Sequence, residues 1–306
     1  MRIASLLASG TELVCALGHG ASLVARSHEC DKPPWVTSLP ALSRATFDVS
    51  GSSHEIDRLV NEKLRAGEPL YAIDRDLLAD LAPDVILTQV HCDVCTVSPT
   101  QLDSAHGWPA LRGFKTLSMR GGSLDGILDD FITVATEIGC PDVGERLTTD
   151  IRREIGRWRD LLANARRPSV VCLEWTSPIF PMGNWGPELV EHAGGFSLLG
   201  NANAHSASIS WESVIDADPE VLVIAPCGFP LHRAIAVMPD LVARPGWNAL
   251  KAVRNNQIYV ADGNRYFNRS GPDVFETIRL LAEILHPDIV PRTSEGLTYR
   301  RWEDSP

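Results

Sequence analysis

No stretch of this 306-residue sequence approaches the roughly 18 consecutive apolar residues that a bilayer-spanning helix needs, so no membrane insertion is expected. Positive charge is scarce as well: 28 lysines and arginines stand against 39 aspartates and glutamates, a formal net charge of -11. That balance repels nucleic acid and anionic lipid at long range and leaves small ligands or protein partners. The start of the chain lacks the basic, apolar and small-residue pattern of an export signal, and Met1 leads directly into Arg2-Ile3-Ala4-Ser5-Leu6-Leu7, which reads as a first strand. The expected location is the cytoplasm, or the periplasm if a leader has been removed. The seven cysteines (Cys15, Cys30, Cys92, Cys95, Cys140, Cys172 and Cys227) are an odd set without the dense spacing of a secreted disulfide scaffold, and reduced thiols are expected. Short-period repeats and low-complexity segments are missing too.

What is present is an ordinary globular composition, 44% apolar and 22% charged, enough to fill a core. The length exceeds that of a usual single core, so two lobes are expected. Apolar runs bounded by Gly, Pro and polar clusters mark strands over 2–7, 22–26, 85–89, 115–117, 169–173, 221–225 and 257–260. Helical spacing marks 12–17, 75–81, 123–138, 143–165, 187–193 and 272–285, with 9–11 read as a Gly-containing loop. Alternating strands and helices imply an α/β fold with mostly parallel sheets. The charged helix over 143–165 would span on the order of 30 Å, which suits a strut between lobes. The expected organisation is an N-terminal α/β lobe over 1–122, a helical segment with an interdomain backbone helix over 123–167, and a C-terminal α/β lobe over 168–306.

In open parallel sheets ligands bind beyond the carboxyl ends of the strands, where loops and helix amino termini converge. The unusual residues of this sequence fall at such ends. In the first half these are Ser9-Gly10-Thr11-Glu12, His28-Glu29-Cys30-Asp31 and His91-Cys92-Asp93-Val94-Cys95. In the second half they are Glu174-Trp175, Pro226-Cys227-Gly228 and Asn264-Arg265-Tyr266-Phe267-Asn268-Arg269. A polar and aromatic rim on each lobe is the arrangement of a ligand cleft between domains.

Several of these stretches carry a family resemblance. Residues 2–18, the segment Ser27-His28-Glu29-Cys30-Asp31-Lys32-Pro33-Pro34, and Leu81-Ala82-Pro83-Asp84-Val85-Ile86-Leu87 resemble the helical-backbone (class III) substrate-binding proteins of ABC importers for cobalamin and ferric siderophores. So do Trp185-Gly186-Pro187-Glu188-Leu189, Asp218-Pro219-Glu220-Val221-Leu222, and Asp262-Gly263-Asn264-Arg265-Tyr266-Phe267-Asn268-Arg269. The resemblance covers roughly residues 1–290. It implies two Rossmann-like lobes joined by one long backbone helix, limited hinge closure, and a cleft lined by Thr11, Glu12, Glu29, Cys30, Asp31, Trp175, Trp185, Tyr266, Phe267 and Arg269. It also implies a small-molecule cargo, with cobalamin or a related corrinoid first. Without an export signal, an ABC permease partner is doubtful, and a carrier, sensor or storage role fits better.

Other readings stand beside this one. His91, Cys92 and Cys95, joined by His28 or Cys30, offer nitrogen and sulfur ligands of the kind that zinc takes, and zinc or iron is a candidate metal; the alternative is ordinary packing of small cysteines. Trp175, Trp185, Trp211, Tyr266 and Phe267 can wall a macrocycle or fill core, while Trp108, Trp158 and Trp247 read as structural. Glu12, Glu29 and Glu174 at three strand ends can pair with Arg265 or Arg269, or serve as acid and base in a cytoplasmic enzyme built on the same scaffold with a Cys/His-bound metal or an activated thiol. His205 reads as a solvated loop histidine or as a reach toward a metal.

Overall fold

The structure is a computed structural model that describes residues 1–90, 97 and 113–303. The chain begins with β1 (Ile3–Ser5), α1 (Ala8–Ala16), β2 (Leu23–Ala25), β3 (Ser43–Ala45), α2 (Ser53–Ala66), β4 (Tyr71–Ile73), α3 (Arg75–Leu81), β5 (Val85–Gln89) and β6 (Lys115–Met119). Two helices follow, α4 (Leu124–Glu137) and α5 (Pro141–Leu161). The second half holds β7 (Ser169–Thr176), β8 (Ile179–Pro181), α6 (Gly186–His192), β9 (Phe196–Ser197), α7 (Trp211–Ala217), β10 (Val221–Ile224), α8 (Leu231–Ala236), α9 (Met238–Val242), α10 (Lys251–Arg254), β11 (Ile258–Ala261), α11 (Glu276–Leu285) and β12 (Tyr299–Arg301).

The strands form two main sheets. The first is all parallel in the order β2-β1-β5-β6, with Ala4 opposite Ile86 and Leu87 opposite Leu117. The second runs β12-β11-β10-β7-β8, parallel through its centre, with β9 beside β7 and antiparallel partners at both edges. Every residue of β5, β10 and β11 is buried, as the apolar runs require when helices cover both faces of a parallel sheet. The two-lobed α/β fold with mostly parallel sheets is therefore what the sequence led us to expect. A small antiparallel ribbon, β3-β4, lies outside both sheets.

Several boundaries move. Residues 9–11, expected as a loop, lie inside α1, which starts at Ala8. Gly10 is there for close approach: a Cβ would sit 3.0 Å from both Leu7 Cδ2 and Ser5 Oγ at the strand end. The closing helix divides into a tight turn at Pro272–Phe275 and α11. The expected helices over 123–138 and 143–165 are seen as α4 and α5, the latter four residues shorter at its carboxyl end.

Packing ties the halves together. Helix α5 lies along α4 and also touches α6 and α11 of the second lobe. One apolar cluster runs through both lobes, from Ile3, Leu13 and Leu87 through Phe131 to Phe275, Ile278 and Val170. The rings of Phe131 and Phe275 meet edge to face at 6.3 Å. A seam packed like a domain interior resists wide opening and favours small shear or hinge motion.

Candidate functional site

The carboxyl ends of the two sheets face one another, and three groups of residues meet there. The first is ionic. Arg269 follows β11 and a wide turn over Gly263–Phe267. The Asp262 side chain fixes this turn by accepting from the backbone N–H groups of Asn264 and Arg265 at 3.0 and 2.9 Å. Asn268 ties it down by donating to the carbonyls of Ala225 and Gly263. From this frame Arg269 reaches the first lobe. Its Nη1 donates to Glu12 Oε1 at 2.8 Å and to Asp31 Oδ1 at 2.7 Å, while Nη2 donates to Asp31 Oδ2 at 3.1 Å and Asn264 Oδ1 at 2.9 Å. Two further ion pairs meet on Asp273, from Lys32 of the first lobe and from Arg265.

Electrostatics follow from this packing. Burial pushes the Asp31 carboxyl up, but the hydrogen bonds and charge of Arg269 outweigh it and leave Asp31 below the ordinary carboxylate range. At Glu12 burial wins over Arg269, and the carboxyl is raised. Its second oxygen is buried without a hydrogen-bond partner and faces Gly271, where a Cβ would come within 2.7 Å of it. Glycine at 271 is what lets the two lobes approach here.

The second group meets at the gap between the lobes. Glu29 comes from the loop after β2, Tyr71 from β4, Glu174 from the end of β7 and Cys227 from the loop after β10. Glu29 and Cys227 are exposed to solvent, yet protein atoms of both lobes lie close around them. Depth rather than accessible area governs their ionisation. Loss of bulk solvent raises Glu29 to about 7 against the opposing pull of Arg269. It raises Glu174 to about 7 despite the Ser206 hydroxyl, the nearby His205 and the Gly183 N–H. Cys227 is pushed up to about 12 by the same loss of solvent, with the charges of Glu174 and Glu29 adding to it. Tyr71, raised by burial and then by Glu29 and Cys227, completes the set beside the His28 ring at 5.4 Å.

The third group is a second crossing between lobes. A capping box of Ser52 and Glu55 starts α2, and the hydroxyls of Ser53 and Thr176 meet at 2.9 Å. Arg233 Nη2 donates to the carbonyls of Val49 and Gly51 at 2.5 and 2.7 Å, its guanidinium lying 3.8 Å from the Phe229 ring centre. Ile56 packs against the apolar core of the second lobe.

The residues singled out in the sequence separate into these groups and the core. Glu29 lies at the gap between the lobes, with Glu174 and Cys227. Glu12, Asp31 and Arg269 form the ionic crossing. Thr11 and Cys30 are buried in the first lobe, Oγ1 to Sγ at 3.0 Å. Trp175 is half-buried and packs edge-on against Phe229 at 5.3 Å. Trp185 is buried and donates its indole N–H to the Phe267 carbonyl at 2.9 Å; Tyr266 and Phe267 are buried with it. Trp211 stacks on Trp247 inside the second lobe. His91, Cys92 and Cys95 lie outside the described residues. Among the described residues no three His, Cys, Asp or Glu side chains are placed to hold a metal ion, and no helix is long and apolar enough to cross a membrane. Tyr71 and the α2 crossing escaped the sequence reading, although Ser52 with Glu55 three residues later is a legible helix start.

A family model described as periplasmic binding protein matches residues 3–264. The chain belongs to the periplasmic binding protein family. Among its relatives, the vitamin B12-binding protein of Vibrio cholerae serotype O1 is 24% identical over 298 residues, covering 93% of this chain and 88% of that one. The crystal structure of the periplasmic vitamin B12-binding protein BtuF of Vibrio cholerae superposes with a TM-score of 0.67 at 20% identity, over 93% of this chain and 96% of that one. The periplasmic heme-binding protein RhuT from Roseiflexus sp. RS-1 gives 0.66 at 21% identity, over 93% and 97%. The cytoplasmic placement expected from the sequence gains no support from this family, and neither does zinc. A structure from Listeria monocytogenes named an ABC transporter substrate-binding protein superposes with a TM-score of 0.69 at 16% identity, over 93% of this chain and 98% of that one.

Proposed function

We propose that this member of the family binds a metal chelate between its lobes, with cobalamin or a related corrinoid as the leading cargo and an ABC-type permease as the partner that receives it. The observation that carries the reading is the approach of Glu29 and Tyr71 from one lobe to Glu174 and Cys227 from the other at the gap between the lobes. Glu174 and Cys227 are neighbours at the ends of β7 and β10, the Cys227 N–H donating to the Glu174 carbonyl at 2.9 Å, and Glu29 and Tyr71 approach them from the other lobe. Relatives named for vitamin B12 and heme support a chelate as cargo. The thiol of Cys227, held neutral by its surroundings, is a poor nucleophile, because the thiolate is the reactive form.

The test is a titration of the purified protein with cyanocobalamin, followed by its visible spectrum. A saturable shift at one equivalent, weakened at least tenfold in Glu174→Ala, is the expected result. A spectrum unchanged by protein would dismiss the corrinoid.

A further inference from the structure

Residues 46–70 leave the first lobe, touch the second and return, and the contact they make is lightly held. Resting on the binding reading above, we infer that this excursion is a clasp: it swings away as a local unit to pass cargo while the ionic and helical contacts keep the lobes together, and Arg233 is its bolt.

The excursion is fixed at its base and loose beyond it. β3 and β4 form a two-stranded ribbon outside both sheets, and Thr46 closes it by donating its N–H to the Leu70 carbonyl at 2.9 Å and its hydroxyl to the Pro69 carbonyl at 2.7 Å. Leu42, Leu70 and Tyr71 root the ribbon in the core of the first lobe. Past that root the packing thins. Of the 14 residues of α2 only Ser53 is buried. The helix instead secures its own ends, with the Ser52–Glu55 capping box at one and Gly67, at φ 68°, at the other. A helix with its own caps can leave its seat without unravelling. Ile56 and Val60, one turn apart and half-buried, rest on different lobes, the first on the core of the second lobe and the other on that of the first.

The seat on the second lobe is small and adjoins the candidate site, since Thr176 follows Glu174 and Trp175 on β7 and Phe229 follows Cys227 and Gly228. The Thr176 hydroxyl meets that of Ser53 at 2.9 Å, and Arg233 Nη2 spans to the Val49 and Gly51 carbonyls at 2.5 and 2.7 Å. Arg233 is held in aim by the Phe229 ring, 3.8 Å from its guanidinium, and Trp175 braces that ring edge-on. The other contacts between lobes are heavier. Arg269 and Glu12 are buried together, and one apolar cluster runs past α4 and α5 through both halves. Opening there would strand a buried charge or expose core, whereas releasing the clasp hands a guanidinium and two backbone carbonyls near the surface back to water. Local opening follows the contacts with least burial, and α2 carries them.

Hydrogen exchange of the cargo-free protein, read by mass spectrometry, tests the clasp directly. In the wild type, amides of α2 should exchange about tenfold or more faster than those of α4 and α11, and Arg233→Met should speed α2 by about another tenfold while α4, α11 and β10 keep their rates. Stopped-flow mixing with cyanocobalamin then separates a bolt from a cargo contact. Association and dissociation should both accelerate in Arg233→Met, leaving the dissociation constant little changed, whereas loss of a cargo contact accelerates dissociation alone. Exchange of α2 in step with α4 in the wild type, α2 rates unmoved by Arg233→Met, or faster release with unchanged uptake overturns the inference. If Arg233→Met fails to fold, Ser53→Ala removes only the hydroxyl contact and should speed exchange of the same helix; rates like those of the wild type there also overturn it. If cyanocobalamin does not bind, the corrinoid reading fails separately, and the exchange rates of the cargo-free chain still decide the clasp.

Discussion

Arg269 of the second lobe grips Asp31 of the first through two hydrogen bonds, 2.7 and 3.1 Å, and with the same guanidinium holds Glu12. The planar fork suits this geometry, and an ammonium group does not replace it. The exposed fraction of the Arg269 side chain is 9% and that of Glu12 is 5%, so removing the cation strands a buried carboxylate. We expect Arg269→Met to lose roughly 3 kcal/mol of stability, the usual scale for breaking a buried pair from one side. Arg269→Lys should recover only part of it. Urea midpoints, with the slope unchanged, check both.

The α2 crossing predicts a gate. Ser53 and Thr176 oxygens are 2.9 Å apart, close enough for a Ser53→Cys, Thr176→Cys pair to be tested as a crosslink between lobes. Oxidised, that variant should take up cyanocobalamin at least tenfold more slowly than its reduced form. Stopped-flow mixing measures the rates, and equal rates would place the entrance elsewhere.

Glu29 and Glu174 give a pH signature. Both are raised from 4.5 to about 7 in the folded chain. The folded state therefore holds protons that the unfolded state has released between these limits, so their contribution to stability falls as pH rises through the window and levels off above it. His28, His192 and His286, lowered chiefly by burial, give the opposite slope toward 6.5. The difference between wild type and the Glu29→Gln, Glu174→Gln double variant isolates the acids. Thermal melts from pH 4.5 to 8 should show the stability of the wild type declining relative to the variant, then running parallel.

Cys227 should be a sluggish thiol despite its accessible surface. With a value pushed up to about 12, its thiolate fraction at pH 8 is on the order of one in ten thousand. Iodoacetamide should modify it on the order of a thousandfold more slowly than a free cysteine, and bound cargo should slow it further. Peptide mapping by mass spectrometry reads this site alone, and labelling as fast as that of free cysteine would refute the electrostatic account.

How much of this was legible in the sequence depends on which force fixed each part. The strand Val85–Gln89 and the helix Arg75–Leu81 are found at the residues expected, because buried apolar runs and a capped, periodic segment are local signals. The loops after β2 and β10 and the end of β7 were legible as places rich in polar groups, and the structure brings Glu29, Glu174 and Cys227 near one another. The aromatic residues were harder to place. Trp185, Tyr266 and Phe267 sit among Gly, Pro and Asn, a context that signals loop conformation but not exposure, and tertiary packing buries them. Tyr71 and the α2 crossing depend on contacts between segments far apart in sequence, which no local pattern encodes.

The central claim is that cargo sits in the space shared by Glu29, Tyr71, Glu174 and Cys227. A crystal of the protein grown with cyanocobalamin, measured for anomalous scattering at the cobalt edge, tests it most directly. The account predicts one cobalt peak between the lobes, flanked by Glu29 on one side and Glu174 on the other. A cobalt peak on an outer face, with that space left to water, would contradict it.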